Sequence, residues 1–229
     1  MNAQPTPDRE QHKKDLALAA RSLAALGLAA LGLACQRGRR VLFRGLDLGL
    51  PPGSMTWLRG RNGSGKTSLL RILAGLSTPA EGQVTWNGKP VRQAPAGLRY
   101  IAHANALKDD LTLTEALAFL AELQGLDNAV LRARNALDRL GLASRRDAPV
   151  RTLSQGQRRR GALARLALDD APRTWLLDEP FDALDSDSAA VLTGLVQGHA
   201  TRGGAVLLTS HQPLVWPGLN TFDLAEPAA

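Results

Sequence analysis

The chain has 229 residues, of which 44% are hydrophobic and only 4% aromatic. This length and composition fit one compact domain with a core of Leu, Ala and Val, and they exclude an intrinsically disordered protein. The 28 basic and 21 acidic residues give a net charge of +7, which permits contact with nucleotide, nucleic acid or an anionic membrane surface without selecting one. The one cysteine, Cys35, cannot form an internal disulfide and fits a reducing compartment.

Residues 1–32 are predicted to be an extension that is helical or disordered. A basic pair, the Leu/Ala/Gly-rich stretch at 16–34 and Cys35 together resemble a secretion signal or lipoprotein anchor. Two features argue against that alternative: Arg21 interrupts the apolar stretch, and a Leu-Ala-Ala-Leu-Gly unit repeats in tandem at 23–32. No other stretch approaches the roughly 20 apolar residues that a membrane-spanning helix needs.

Short apolar runs after the extension predict strands. Residues 40–50 alternate polar and apolar side chains before a turn at Pro51-Pro52-Gly53, and 55–58 form a short buried strand. Residues 84–86, closed by Asn87-Gly88, predict a hairpin, and 98–102 a further strand.

A glycine-rich loop follows the strand at 55–58 and matches the P-loop pattern G-x-x-x-x-G-K-[ST] in full. Its glycines allow backbone N–H groups to turn around phosphate oxygens, and a helix predicted at about 67–74 directs its positive end there. Lys66 is expected to reach the β- and γ-phosphates of ATP, and the Thr67 hydroxyl to bind Mg²⁺. A chance glycine-rich turn is disfavoured by the strand before the loop and the helix after it. ATP is a cytosolic substrate, so a loop that binds it also argues against a secretion signal at the start of the chain. The predicted nucleotide-binding residues are Gly60, Arg61, Asn62, Gly63, Ser64, Gly65, Lys66, Thr67 and Ser68.

Residues from about 111 to 168 are predicted to be helical. Thr112 and Glu115 form a capping box, in which each side chain accepts a hydrogen bond from a backbone N–H group at the helix start. A second helix runs from about 128 to 140 and stops at Gly141. Strand character returns at 174–177 and 205–209, so the order of elements predicts a parallel α/β sheet interrupted by a helical insertion.

The strand at 174–177 is followed by two carboxylates, Asp178 and Glu179. At the end of an apolar strand downstream of a P-loop they indicate a Walker B site, although adjacent carboxylates alone are common on surfaces. Asp178 is expected to hold Mg²⁺ through water, and Glu179 to polarise the attacking water.

Between these motifs lies a segment, Leu153-Ser154-Gln155-Gly156-Gln157, that precedes a basic helix. Ser154 and Gln157 form a second capping box, and Gly156 lets a phosphate approach exposed N–H groups. An ordinary capped helix is the alternative. The segment resembles the signature motif of ABC ATPases, and its spacing to Asp178 fits that family. In that family the motif binds the γ-phosphate of ATP held by the opposite subunit, so two domains sandwich two nucleotides.

The resemblance covers roughly residues 33–225 and implies an ABC ATPase domain. This fold has a P-loop NTPase parallel sheet core, an antiparallel β subdomain and an inserted α-helical subdomain, here at about 104–168, with a tail at 226–229. The segment ending at Asp185 resembles the D-loop, and His211 resembles the switch histidine at the γ-phosphate, although a lone histidine after a strand is usually structural. The resemblance thus implies ATP and Mg²⁺ as ligands, with Glu179, His211 and Lys66 as the catalytic residues.

Three positions depart from the family pattern. No aromatic residue lies near Gln36 or Arg37 to stack on adenine, so an arginine face could substitute. His103 stands at the Q-loop position, where most ABC proteins have glutamine; the alternative is that His103 merely ends a strand. Gln155 replaces a small residue in the signature.

The departures point to a subfamily, since the segments at 35–39, 42–46, 62–71 and 82–86 resemble the haem-exporter ATP-binding subunits of cytochrome c maturation. That family also places histidine at the Q-loop position, although its members often have Glu-Asn-Leu where this chain has Glu-Ala-Leu at 115–117. The resemblance implies an ATP-dependent homodimer, peripheral at the cytoplasmic face of the bacterial inner membrane. Its partners are then integral membrane subunits and, indirectly, a periplasmic haem chaperone, with no nucleic acid.

Two other functions are alternatives to a haem-exporter subunit. One is the ATPase subunit of another ABC exporter. The other is a soluble ABC ATPase that acts on nucleic acid or ribosomes. The second is disfavoured because the chain has a single P-loop and too few residues between Lys66 and Ser154 for a long coiled coil.

Overall fold

The computed structural model describes residues 27–94 and 97–224 of the chain. Residues 1–26 of the predicted extension and the predicted tail at 226–229 lie outside the described residues. The strands are β1 (Leu28–Arg37), β2 (Arg40–Leu50), β3 (Met55–Arg59), β4 (Glu81–Trp86), β5 (Lys89–Pro90), β6 (Leu98–Ile101), β7 (Thr174–Leu177), β8 (Ala205–Leu208) and β9 (Leu219–Asp223). The α-helices are α1 (Lys66–Leu73), α2 (Leu113–Leu123), α3 (Ala129–Arg139), α4 (Gln155–Leu163) and α5 (Ser186–Thr201).

The strands form two sheets, as the family resemblance predicts. The antiparallel sheet has the order β2-β1-β4-β5, and the second sheet has the order β6-β7-β8-β3-β9 with every pairing parallel. β7 and β8 are buried along their whole length, which explains their continuous apolar sequence. The P-loop fold with an antiparallel subdomain and intervening helices is thereby confirmed.

The predicted boundary of the N-terminal extension is wrong, because residues 28–32 belong to β1. β1 is an inner strand that pairs with β2 along one edge and with β4 along the other. Its side chains at Leu28, Ala30 and Leu33 are buried, so the run of Leu and Ala supplies the core of this sheet. A continuous apolar run does not by itself distinguish a buried strand from a helix, which is why the pattern misled.

Two apolar clusters hold the domain together on opposite faces of the parallel sheet. One joins β1 and β2 to α1 and to Leu176 and Leu207 of the parallel sheet. The other joins α2, α3 and α5 to Trp175 and Leu208 on the opposite face. α1 is therefore packed between the two sheets, and this packing fixes the loop that precedes it.

Three α-helices, α2, α3 and α4, lie between β6 and β7. The capping box at the start of α2 is confirmed: Glu115 N donates to Thr112 Oγ1 at 3.2 Å, and Thr112 N donates to Glu115 Oε2 at 2.8 Å. The hydrogen bonds from Thr112 lower the pKa of the Glu115 carboxyl. No helix in the described part of the chain is long and apolar enough to cross a membrane.

Candidate functional site

A cavity of about 600 Å³ lies where β3, β6, β7 and β8 end. The carboxyl ends of parallel strands meet at one edge of a sheet, which is the usual place for a ligand in such folds. The lining residues come from the end of β1, from β2, from the P-loop and α1 start, and from the segments that follow β6, β7 and β8. They are Arg37, Arg40, Leu42, Asn62, Gly63, Gly65, Lys66, Thr67, Ser68, His103, Asp178, Glu179 and His211.

The P-loop wraps the N-terminus of α1 and exposes its backbone to this cavity. Gly63 and Gly65 have φ angles of 79° and 104°, in the left-handed region that favours glycine. Gly65 is also the N-cap of α1, so the loop enters the helix without a capping side chain and leaves the first N–H groups open. Lys66 Nζ donates to the carbonyl oxygens of Gly60 and Arg61 at 2.8 and 3.3 Å. The loop thus presents backbone N–H groups and one ammonium group to an anion.

The Asp178 carboxylate meets the Thr67 hydroxyl at the floor of the cavity. Thr67 Oγ1 donates to Asp178 Oδ1 at 3.3 Å, and Thr209 Oγ1 donates to the same oxygen at 3.2 Å. Asp178 is buried. A hydroxyl and a carboxylate oxygen at one point are the donors that Mg²⁺ prefers, and the residues predicted as metal ligands therefore fit that ion.

Glu179 is held in a strained backbone conformation beside Asp178. Its φ of 48° lies in the left-handed region, which costs a non-glycine residue about 1–3 kcal/mol and persists only where neighbours fix it. Glu179 N donates to Thr209 Oγ1 at 2.8 Å. Among the described residues Glu179 Oε2 is buried without a hydrogen-bond partner. Burial raises the pKa of this carboxyl, His211 lowers it, and Asp182 raises it further.

Two histidines lie at the mouth of the cavity. His211 Nε2 is 3.8 Å from Glu179 Oε1, and His103 Nδ1 is 3.6 Å from Asp182 Oδ2. Both imidazoles are more than half exposed, with side-chain accessibilities of 56% and 69%. One ligand atom each from Glu179, Asp182 and His211 lies within 4.8 Å of the others, so these three residues form a second set of possible cation ligands.

The signature segment lies outside this cavity. Its capping box is confirmed, since Gln157 N donates to Ser154 Oγ at 3.2 Å and Ser154 N donates to Gln157 Oε1 at 3.0 Å. Ser154 and Gln155 are exposed, and no signature residue is among the described residues that line the cavity. A Cβ at Gly156 would lie 3.0 Å from the Ala183 carbonyl oxygen, so glycine lets the signature pack against the predicted D-loop.

Asp185, at the predicted D-loop, is the N-cap of α5. Its carboxylate accepts a hydrogen bond from Ser188 N at 2.8 Å, and hydrogen bonds from Ser188 lower the pKa of the carboxyl.

Sequence reasoning missed two groups of site residues. Arg40 and Leu42 line the cavity beside Arg37, but β2 showed only an alternating pattern with no motif. Thr209 contacts both carboxylate residues although it lies 30 or more positions away in sequence, so no local signal identifies it.

Comparison with known proteins agrees with this architecture. A family model described as ABC transporter matches residues 43–182. The Aromatoleum aromaticum protein named cytochrome c biogenesis ATP-binding export protein CcmA is 47% identical, over 86% of this chain and 94% of that protein. Proteins of the same name from Dechloromonas aromatica and Haemophilus influenzae are 45% and 43% identical, over 83% and 84% of this chain and 95% and 92% of their own lengths.

Solved structures share the fold at lower identity. The ATP-binding subunit of an ABC transporter has a TM-score of 0.74 and is 24% identical, covering 81% of this chain and 79% of that chain. A dimeric ATP-binding cassette in a post-hydrolysis state, bound to ADP and Pi, has a TM-score of 0.71 and is 21% identical, covering 81% and 88%. From the family match and these identities, the chain belongs to the ABC transporter family and, within it, to the cytochrome c biogenesis ATP-binding export proteins.

Proposed function

We propose that the chain is the ATP-hydrolysing subunit of a membrane ABC complex that exports or hands over haem in c-type cytochrome biogenesis. The observation that carries the ATPase proposal is the convergence of the P-loop, both Walker B carboxylates and His211 on one cavity. The names of relatives that match over most of the chain support the cytochrome c role. Haem as the cargo rests on the resemblance to haem-exporter subunits.

ATP would bind with its phosphates on the P-loop and its base at the β1–β2 end of the cavity. The N–H groups at the start of α1 and the Lys66 ammonium then neutralise phosphate charge. Arg37, Arg40 and Leu42 line the cavity there. A planar guanidinium together with an apolar side chain can pack on the adenine ring in place of an aromatic residue.

Thr67 and Asp178 would hold Mg²⁺, which when bound supplies positive charge at the β- and γ-phosphates. Glu179 orients the attacking water through its carboxylate, and the buried, unpartnered Oε2 is available for that contact. His211, close to Glu179 Oε1, would contact the γ-phosphate and the attacking water.

Two copies of the chain would complete each site. The signature residues Ser154, Gln155, Gly156 and Gln157 begin a capped helix on the exposed surface, outside their own chain's cavity. A second copy can place this helix start against the γ-phosphate, with its backbone N–H groups directed at the anion. The Ala183 carbonyl packs against Gly156 of the signature, so this turn and Asp185, two residues later, would lie at the same interface.

The membrane partners would be integral subunits at the cytoplasmic face of the inner membrane, with a periplasmic haem chaperone as the indirect recipient. Apolar side chains on α2 and α3 support a protein contact, since Phe119, Leu123, Val130 and Leu131 are each more than half exposed.

The test separates nucleotide binding from hydrolysis. Lys66→Ala removes a phosphate contact, so ATP binding and hydrolysis are expected to fall together. Glu179→Gln keeps the shape but removes the carboxylate, so hydrolysis is expected to fall by about 100-fold or more while ATP binding persists. Nucleotide binding and phosphate release are measured on the full chain, with Glu122→Gln, an exposed position on α2, as the matched control.

The cytochrome c role is tested in cells that lack the subunit. Wild-type chain, but not Glu179→Gln, should restore haem-stained c-type cytochromes. No phosphate release from the wild-type chain with Mg-ATP would contradict the ATPase proposal, and hydrolysis at the wild-type rate in Glu179→Gln would contradict the role proposed for Glu179. Normal c-type cytochromes in cells that carry only Glu179→Gln would contradict the cytochrome c role.

A further inference from the structure

Arg159 is a buried arginine on α4, two residues after the signature segment. Its residue accessibility is 3%, and its guanidinium reaches across to two other parts of the chain. Nη2 donates to the carbonyl oxygens of Glu179 at 2.6 Å and Asp178 at 3.1 Å, and Nε donates to the carbonyl oxygen of Pro180 at 3.4 Å. Nη1 donates to the segment after β6, namely to the carbonyl oxygens of Ala102 at 3.0 Å and His103 at 3.2 Å and to Asn105 Oδ1 at 3.3 Å.

Within the described part of the chain, the hydrogen-bond partners of this guanidinium are backbone carbonyls and one amide oxygen, so hydrogen-bond dipoles rather than a direct ion pair stabilise its charge. Burial lowers the pKa of the Arg159 guanidinium, whereas the nearby carboxylates of Asp182, Asp178 and Glu179 raise it. A guanidinium keeps its charge even so, and its planar fork offers five donors in fixed directions. Lysine has three donors on one nitrogen and cannot span both segments.

Arg159 and Thr209 together hold the Glu179 backbone from both sides. On the N-terminal side of this strained residue, Thr209 Oγ1 accepts the Glu179 N–H. On the C-terminal side, Arg159 donates to the Glu179 carbonyl oxygen. The peptide groups on both sides of the left-handed φ are therefore pinned, and the direction of the Glu179 carboxylate depends on both contacts.

We propose that Arg159 is a positioning residue for hydrolysis, which fixes Glu179 and ties it, together with the His103 segment, to the signature helix. A displacement of α4 when a second copy engages the signature would then move the Glu179 carbonyl and the His103 carbonyl together. The inference rests on the proposed role of Glu179 as the group that orients water. It assigns to α4 a second task besides presenting the signature.

The first measurement compares turnover and ATP affinity in Arg159→Gln and Arg159→Lys. Both variants are expected to lower kcat and to leave ATP affinity within about threefold of wild type. For Arg159→Gln the loss in kcat should be about 100-fold, because a small misplacement of a reacting group has an effect of that size. Arg160→Gln is the control, because it removes the same charge from the same helix, where Arg160 contacts the Gly141 carbonyl oxygen at 3.4 Å. Unchanged kcat in a folded Arg159→Lys would overturn the inference.

A double-mutant cycle with Glu179→Gln separates positioning from general stability. If Arg159 acts through Glu179, adding Arg159→Lys to Glu179→Gln should not lower the residual single-turnover rate further. A further loss equal to that in the wild-type background would overturn the inference, and melting temperatures of all four proteins identify any loss caused by unfolding. If Glu179→Gln itself retains wild-type hydrolysis, the role of Glu179 in the proposed function fails instead, so the two failures differ.

Discussion

At the scale of single residues, the site concentrates unfavourable features at Glu179. This carboxyl is buried, has a left-handed φ and leaves Oε2 without a hydrogen-bond partner among the described residues. Such a group lowers the stability of the fold, and it is available to water for the same reason. The neighbouring Asp178, in contrast, accepts hydrogen bonds from two hydroxyls.

We therefore expect Glu179→Gln to raise the melting temperature of the nucleotide-free chain at neutral pH. Burial raises the pKa of Glu179 in the folded state, so the folded protein binds this proton more tightly than the unfolded chain. The wild type then loses stability as the pH rises from the ordinary glutamate range through the raised pKa, and Gln, which does not titrate, avoids that loss. Melting curves with EDTA should show a gain at pH 8 that shrinks as the pH is lowered. A melting temperature below that of wild type at every pH would contradict this explanation.

The site residues divide into those that a motif identifies and those that only the fold brings together. Local sequence predicts the P-loop and the Asp178-Glu179 pair, the family resemblance predicts His211, and all of them line one cavity. Arg159 and Thr209 were not predicted, because their partners lie 19 to 57 positions away and neither residue belongs to a local pattern. Packing between α4, β7 and β8 creates these contacts, and a single sequence does not reveal it.

At the scale of elements, the sequence predicted best where caps or glycines mark the ends. Both capping boxes and the P-loop helix are present within a residue of the predicted positions. The sequence predicts an extension where β1 begins, because the apolar run of this strand has no strand periodicity. The consecutive residues Leu28, Ala29 and Ala30 are all buried, so both faces of β1 are covered there, which is a property of the fold rather than of the segment.

The segment after β6 carries the next prediction, through His103. This side chain lies between the cavity and the exposed surface and pairs with Asp182. If it couples the membrane subunits to the site, His103→Ala should leave ATP affinity nearly intact, because the P-loop supplies most phosphate contacts. Holocytochrome c in cells carrying only this variant should fall sharply, with Lys108→Ala, an exposed change in the same segment, as the control. Wild-type haem staining at matched expression would remove His103 from the mechanism.

At the scale of the whole molecule, the P-loop and the signature of one chain are separated. The cavity contains the P-loop, both Walker B carboxylates and two histidines, whereas the signature helix begins on the exposed surface. A single chain therefore carries both the P-loop and the signature, but does not bring them together at one site. Two copies related by a two-fold axis would complete two identical sites, because each copy contributes its P-loop to one site and its signature to the other.

Mixing two inactive variants tests this arrangement most directly. Lys66→Ala disables the P-loop and Ser154→Arg disables the signature, so a mixed dimer keeps one site in which both motifs are intact. Random pairing at equal concentrations leaves about one quarter of the sites active, and ATPase activity near that fraction of wild type is the predicted result. Activity no higher than the mean of the two variants measured separately would contradict a shared site and favour catalysis within one chain.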